Sequence, residues 1–153
     1  MTGPLSAPVA LRSMRPDRAP DFIIGGTHNP YLLRWWLIPR NEVFNVYYHR
    51  FLRDDDDRAL HDHPWPSLSV MTRGQMREIT ADGTKTISAG DVVFRPAEFA
   101  HRVELIDGAP CETLFVTGPK IREWGFHCPN GFVPWQDFVA ADDKGGIGPG
   151  CGD

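Results

Sequence analysis

Apolar and polar residues change places over short distances along this chain, and the runs they form read as strands. Tyr31 to Ile38 is dense in aromatic and aliphatic side chains and is stopped by Pro39; Val43 to Leu52 is a second run rich in β-formers. Ser67 to Thr72 alternates small polar with aliphatic residues before Gly74. Gln75 to Thr80 and Lys85 to Ser88 flank Asp82-Gly83, a strong hairpin signal. Val92 to Arg95, His101 to Ile106, Thr113 to Val116 and Ile121 to Phe126 follow, separated by Gly, Pro and Asp. Many short strands with frequent turns predict an all-β antiparallel sandwich or barrel, and only Pro134 to Ala141 reads as a short helix.

The ends of the chain lack this patterning. Residues 1–20 hold four Pro among scattered Arg and Ala without a sustained period, which predicts a flexible arm, although such arms can also pack on a neighbouring subunit. Residues 142–153 include Gly145-Gly146-Ile147-Gly148-Pro149-Gly150 and predict a disordered tail. A single domain over 21–141 remains, and a hydrophobic content of 41% is enough to give it a core.

Charge and cysteine usage narrow the setting. The formal net charge of −4 offers no general attraction to nucleic acid or an anionic membrane, and no apolar stretch approaches a membrane span. Asp54 to Asp57, flanked by Arg53 and Arg58, reads as a solvated loop, because its acids are contiguous rather than spaced as a calcium loop needs. Cys111, Cys128 and Cys151 form no CxxC pair, and with no signal peptide this odd count predicts free thiols in a reducing cytoplasm.

The candidate chemistry lies in histidine. His61 and His63 are two residues apart, so on a strand both rings face one side. His101 stands further on, beyond Gly90-Asp91. Three neutral imidazoles converging on one point are a recurrent way to hold a divalent transition metal, and iron, zinc, nickel, copper and cobalt all suit them.

The surroundings of these histidines carry a family resemblance. His61-x-His63 followed by Ser67 and Gly74 resembles the first motif of the cupin superfamily, and Gly90, Pro96 and His101 resemble its second. The resemblance implies a double-sheet jelly roll with its metal site inside one open end of the barrel. Two positions depart from the pattern: Ser67 stands where the family's acidic ligand falls, and Glu98 replaces a glycine after Pro96. The implied ligand set is therefore His61, His63 and His101 with open positions, and Glu98 is the candidate substitute ligand.

Three-histidine cupins resemble the thiol dioxygenases, which implies Fe(II) and a small anionic substrate, possible thiol-carboxylates included. Tyr48-x-Arg50 is similar to the Tyr-x-Arg that grips a substrate carboxylate there, while Tyr47, His49 and Phe51 occupy the other phase of the same strand. Tyr48, Arg50, His49, Ser67 and Glu98 are thus the candidate substrate contacts. Tyr48-His49-Arg50-Phe51-Leu52, His61-Asp62-His63-Pro64-Trp65 and Trp124-Gly125-Phe126-His127-Cys128-Pro129 also resemble a set of small bacterial and phage cupins of unassigned activity.

Other residues read more plainly. Asp62 points away from the flanking histidines and is expected to bond the following loop. Cys128 and Cys111 are expected as buried thiols, and Arg73, Arg95 and Arg102 as surface ion-pair partners. Trp35, Trp36 and Trp124 cover the core or a subunit interface, and a homodimer is expected. The functional expectation is an Fe(II) dioxygenase. The alternatives are a Lewis-acid isomerase or hydrolase using Zn, Ni or Mn, and a non-catalytic ligand-binding module stabilised by its metal.

Overall fold

Nearly every stretch of alternating polarity forms a strand. The computed structural model describes residues 13–55, 59–141 and 148–152. The large sheet joins β1 (Phe22–Ile24), β2 (Leu32–Trp36), β3 (Asn45–Phe51), β10 (Cys111–Thr117), β5 (Ser67–Arg73) and β8 (Val92–Arg95), in that order and antiparallel throughout. Facing it are two three-stranded sheets. One is β12 (Gly131–Pro134), β11 (Gly125–Cys128) and β4 (Leu60–His61); the other is β7 (Gly83–Ser88), β6 (Gln75–Thr80) and β9 (Arg102–Leu105). A bridge between His61 and His101 links these two, so the architecture is the double-sheet jelly roll.

Chain reversal at Gly74 carries the strand from one layer to the other. Its φ is +77°, and a Cβ would lie 3.0 Å from that of Cys111, so glycine is required on both counts. Across the layers Met71, Met76, Ile87, Val103, Leu105 and Cys111 form one buried cluster. Each fully buried aliphatic side chain of this kind contributes about 1.5–3 kcal/mol. A second cluster, Ala59, Phe126 and Phe138, packs with Trp124 and Trp135 beneath the short helix α1 (Trp135–Phe138).

Several sequence expectations are corrected. The strand placed over Ile121 to Phe126 begins only at Gly125, because the preceding loop is tied elsewhere, with the Ile121 amide donating to the Pro64 carbonyl at 2.8 Å. Residues 13–20, expected to be part of a flexible arm, lie along the outer face of the large sheet. There Ser13 donates to Glu112 at 2.8 Å, and Trp35 Nε1 donates to the Arg18 carbonyl at 2.8 Å. Residues 1–12 of that arm lie outside the described residues, as do 142–147 and 153 of the expected tail and 56–58 of the acidic run read as a solvated loop. Residues 148–152 are fastened: Cys151 forms a disulfide with Cys128, and Gly150 donates to the Phe138 carbonyl. Two of the expected free thiols are thus one crosslink, which removes the cysteine argument for a reducing compartment. Cys111 remains free and buried. No helix among the described residues is long and apolar enough to cross a membrane.

Candidate metal centre

The backbone brings the histidines together. His61 and His101 donate to each other's carbonyls at 2.9 Å, so their side chains leave the bridge on the same face. His63 is held two residues beyond His61 by its amide, which donates to the Ala97 carbonyl at 3.0 Å. The three ring centroids are 5.0–5.1 Å apart, and one ligand atom from each residue falls within 4.8 Å of the others. Trp65 stacks on the His63 ring at 5.2 Å and fixes its orientation. The Nδ1 of His63 is buried without a hydrogen-bond partner among the described residues.

Behind His101 lies a charged network that the sequence reading missed. The Nδ1–H of His101 donates to Glu78 Oε1 at 2.5 Å, leaving Nε2 as the free lone pair. The same oxygen accepts from Arg95 Nε at 2.5 Å, and Arg95 Nη1 donates to Ser69 at 2.9 Å. Arg95 is only 4% exposed, which corrects its expected surface role. A signal was available: Glu78 shares the inward phase of β6 with Met76, an acid next in phase to a core residue.

Protonation follows from burial. The His101 imidazole is pushed down to about 4 by desolvation, against the pull of Glu78, and the nearby positive groups lower it further. His63 is held well below the usual imidazole range, first by desolvation and then by His61, His101, Arg95 and Arg34. Burial alone would raise the Glu78 carboxyl, yet the His101 hydrogen bond and the Arg95 charge bring it to about 2. His63 and His101 are therefore neutral at pH 7, the form that binds a metal.

A cavity of about 450 Å³ opens from the triad between the sheets. Tyr47, His49 and Phe51 are the phase of β3 that lines it. Tyr48 and Arg50 take the outward phase, so their expected substrate contact is corrected. Tyr48 bonds Thr72 at 2.8 Å under the Met14 amide, and Arg50 lies 3.7 Å from Glu112, its partner in the β3–β10 register. Ser67 lines the cavity, whereas Glu98 is exposed in the turn before His101 and is not among the lining residues. Met71, Met76 and Phe115 make apolar wall, as do Trp124 and Trp135.

Asp62 has a structural role, but it bonds the segment 122–127 rather than the loop that follows it. Buried on the far side of β4, it accepts from the Gly125 amide at 3.0 Å, His127 Nε2 at 2.8 Å and Arg122 at 2.9 Å. It clamps the loop that carries Trp124 to the strand that carries the histidines.

Comparison with known proteins adds the fold. No protein-family model matches the chain, and no curated protein matches it. Among solved structures, a cupin superfamily protein from Desulfitobacterium hafniense DCB-2 is 15% identical, with 76% of this chain and 94% of that one covered and a TM-score of 0.51. This is the cupin fold. DMSP lyase DddQ from Ruegeria pomeroyi DSS-3 is similar at 16% identity over 66% of this chain, with a TM-score of 0.52; the match spans 54% of the lyase chain. The polyketide cyclase RemF from Streptomyces resistomycificus is 17% identical, covering 60% of this chain and 72% of that one at a TM-score of 0.50.

Proposed function

We propose that this cupin is a metal-dependent enzyme in which His61, His63 and His101 hold one divalent transition metal facing a small-molecule cavity. The observation that carries the reading is the convergence of the triad, with Nδ1 of His101 engaged by Glu78 and Nε2 left free. A carboxylate behind a ligating histidine fixes the tautomer and raises the basicity of the ring. The donor set fits: neutral imidazoles suit Fe, Zn, Ni and related ions, and the buried Nδ1 of His63 has no partner to compete among the described residues.

Fe(II) is the favoured ion and dioxygenation of a small anionic substrate the favoured reaction. When bound by His61, His63 and His101, such a metal would supply the redox chemistry that dioxygen activation needs. The protein's own contribution is orientation and exclusion of water. Trp65 holds His63, Glu78 holds His101, and Trp124 with Trp135, stacked at 5.9 Å, walls the cavity. The test is oxygen uptake by Fe(II)-loaded protein with a panel of thiol carboxylates. Uptake above a His101→Ala control supports the reading, and none with any member of the panel contradicts the dioxygenase.

Lewis-acid chemistry with Zn, Ni or Mn is the second reading, supported by the lyase and cyclase names among the similar structures. Elemental analysis of freshly purified protein separates the two. The expected homodimer draws support from exposed Leu68, Val92 and Phe94, which neighbour one another on the outer face of β5 and β8; light scattering tests it.

A further inference from the structure

Arg34 projects from β2 into the cavity and has no carboxylate partner among the described residues. Its Nε donates to His49 Nε2 at 2.9 Å, and its guanidinium lies over the Tyr47 ring at 4.6 Å. His49 and Tyr47 are neutral groups that position the fork without neutralising it. Arg95, the fully buried arginine of the lining, is matched by Glu78, whereas Arg34 is half-buried. Arg34 has no such match, and its two terminal nitrogens donate to nothing in the described structure.

A cation among apolar walls is costly unless an anion pairs with it, and the carboxylate among the described lining residues, Asp55, lies 3.5 Å from His61. The cost is visible in Arg34 itself, whose guanidinium burial pulls down to about 10. His49 meets the same situation from the other side: desolvation first, then the Arg34 charge, keep it well below the ordinary imidazole range. It therefore stays an acceptor for Nε and cannot serve as the missing counter-charge.

We propose that Arg34 is the anchor for a carboxylate ligand, gripped by its two terminal nitrogens while His49 and Tyr47 hold the guanidinium in place. The assignment rests on the reading of this cavity as the substrate site. A planar fork matches two carboxylate oxygens with two parallel hydrogen bonds. Phosphate presents three charged oxygens, and one fork leaves at least one of them unpaired among apolar walls. The body of the ligand is apolar, because Phe22, Ile24, Leu32 and Phe115 share the lining. The cavity of about 450 Å³ suits a small molecule of this kind. The anionic contact that the sequence placed on Arg50 belongs to the opposite phase and the neighbouring strand.

The test is calorimetric titration of 3-phenylpropionate, its uncharged amide and inorganic phosphate into wild type, Arg34→Met and Arg34→Lys, each metal-free and zinc-loaded. Saturable binding of the carboxylate by wild type is expected, weakened by about tenfold or more in Arg34→Met as a charge-assisted pair is lost. Arg34→Lys keeps the charge without the fork and falls between. The amide binds weakly or not at all. If Arg34→Met fails to fold, the lysine variant and the carboxylate-to-amide ratio on wild type decide the matter. Equal affinity in wild type and Arg34→Met, equal affinity for acid and amide, preference for phosphate, or no saturable binding overturns the proposal. Because binding is read without metal as well, loss of the metal reading leaves this result interpretable. A zinc-binding protein that ignores the carboxylate contradicts the Arg34 site alone.

Discussion

His61 and His101 are direct cross-strand partners, exchanging both backbone hydrogen bonds at 2.9 Å. Among the described residues this bridge is the ladder contact between the two three-stranded sheets, so the candidate metal centre doubles as the seam of one barrel wall. An ion held by His61, His63 and His101 crosslinks that seam at the side-chain level. Saturating metal should therefore raise the melting temperature by several degrees: occupancy at about 100 times Kd is worth about 2.7 kcal/mol. Differential scanning calorimetry with and without chelator checks this. An unchanged transition, or an equal shift in His101→Ala, contradicts it.

Glu78 serves one buried cation, Arg95, and the neutral His101 imidazole at one oxygen, so Glu78→Gln damages both contacts. Arg95 becomes an uncompensated buried charge, which costs about 3–5 kcal/mol, and His101 loses the carboxylate that fixes its tautomer. Metal affinity should fall by about 10–100-fold, the usual effect of removing a partner behind a ligating histidine. Denaturant titration reads the first effect and competitive metal titration the second. A variant with wild-type values in both assays removes the network from the account.

Acid should weaken the metal-free protein before its carboxylates titrate. The folded His101 imidazole is held at about 4, below the ordinary 6.5, so between these values the unfolded chain takes up a proton that the folded one refuses. Stability from this residue is complete above pH 6.5 and falls as the pH drops towards 4. The linkage amounts to about 3 kcal/mol at most. Glu78, held at about 2 rather than 4.5, adds a further loss below pH 4.5. Urea midpoints at pH 7 and pH 4.5 in the presence of chelator test the sign. An equal or higher midpoint at the lower pH contradicts it.

The cysteines should separate cleanly by reactivity. Cys111 is fully buried, and desolvation, helped by Glu112, pushes its thiol up to about 12, so the native protein should not react with a disulfide reagent at pH 8. Denaturation should release one reactive thiol, and prior reduction three, because Cys128 and Cys151 are paired. Replacing both with Ser should cost about 3 kcal/mol through the freed loop. Three thiols without reduction would show that the pair is absent.

The strands and the histidines were legible because period-two alternation and turn residues are local signals. What stayed hidden needed registry. Which phase of β3 faces inward depends on the pairing of Arg50 with Glu112, a contact between residues far apart in sequence. Arg34 drew no attention because a lone arginine in an aromatic run looks like a strand-surface residue, and only the pairing of β2 with β3 sets it beside His49. The same holds for Cys128 and Cys151: their count was odd, and only the fold chose which one to leave unpaired.

The central claim is that one divalent metal sits at His61, His63 and His101. Diffraction from metal-loaded crystals at the absorption edge of the added ion tests it most directly. The account predicts one anomalous peak about 2.0–2.2 Å from a nitrogen of each of the three rings. A peak elsewhere on the protein, or none at the triad under saturating metal, contradicts it.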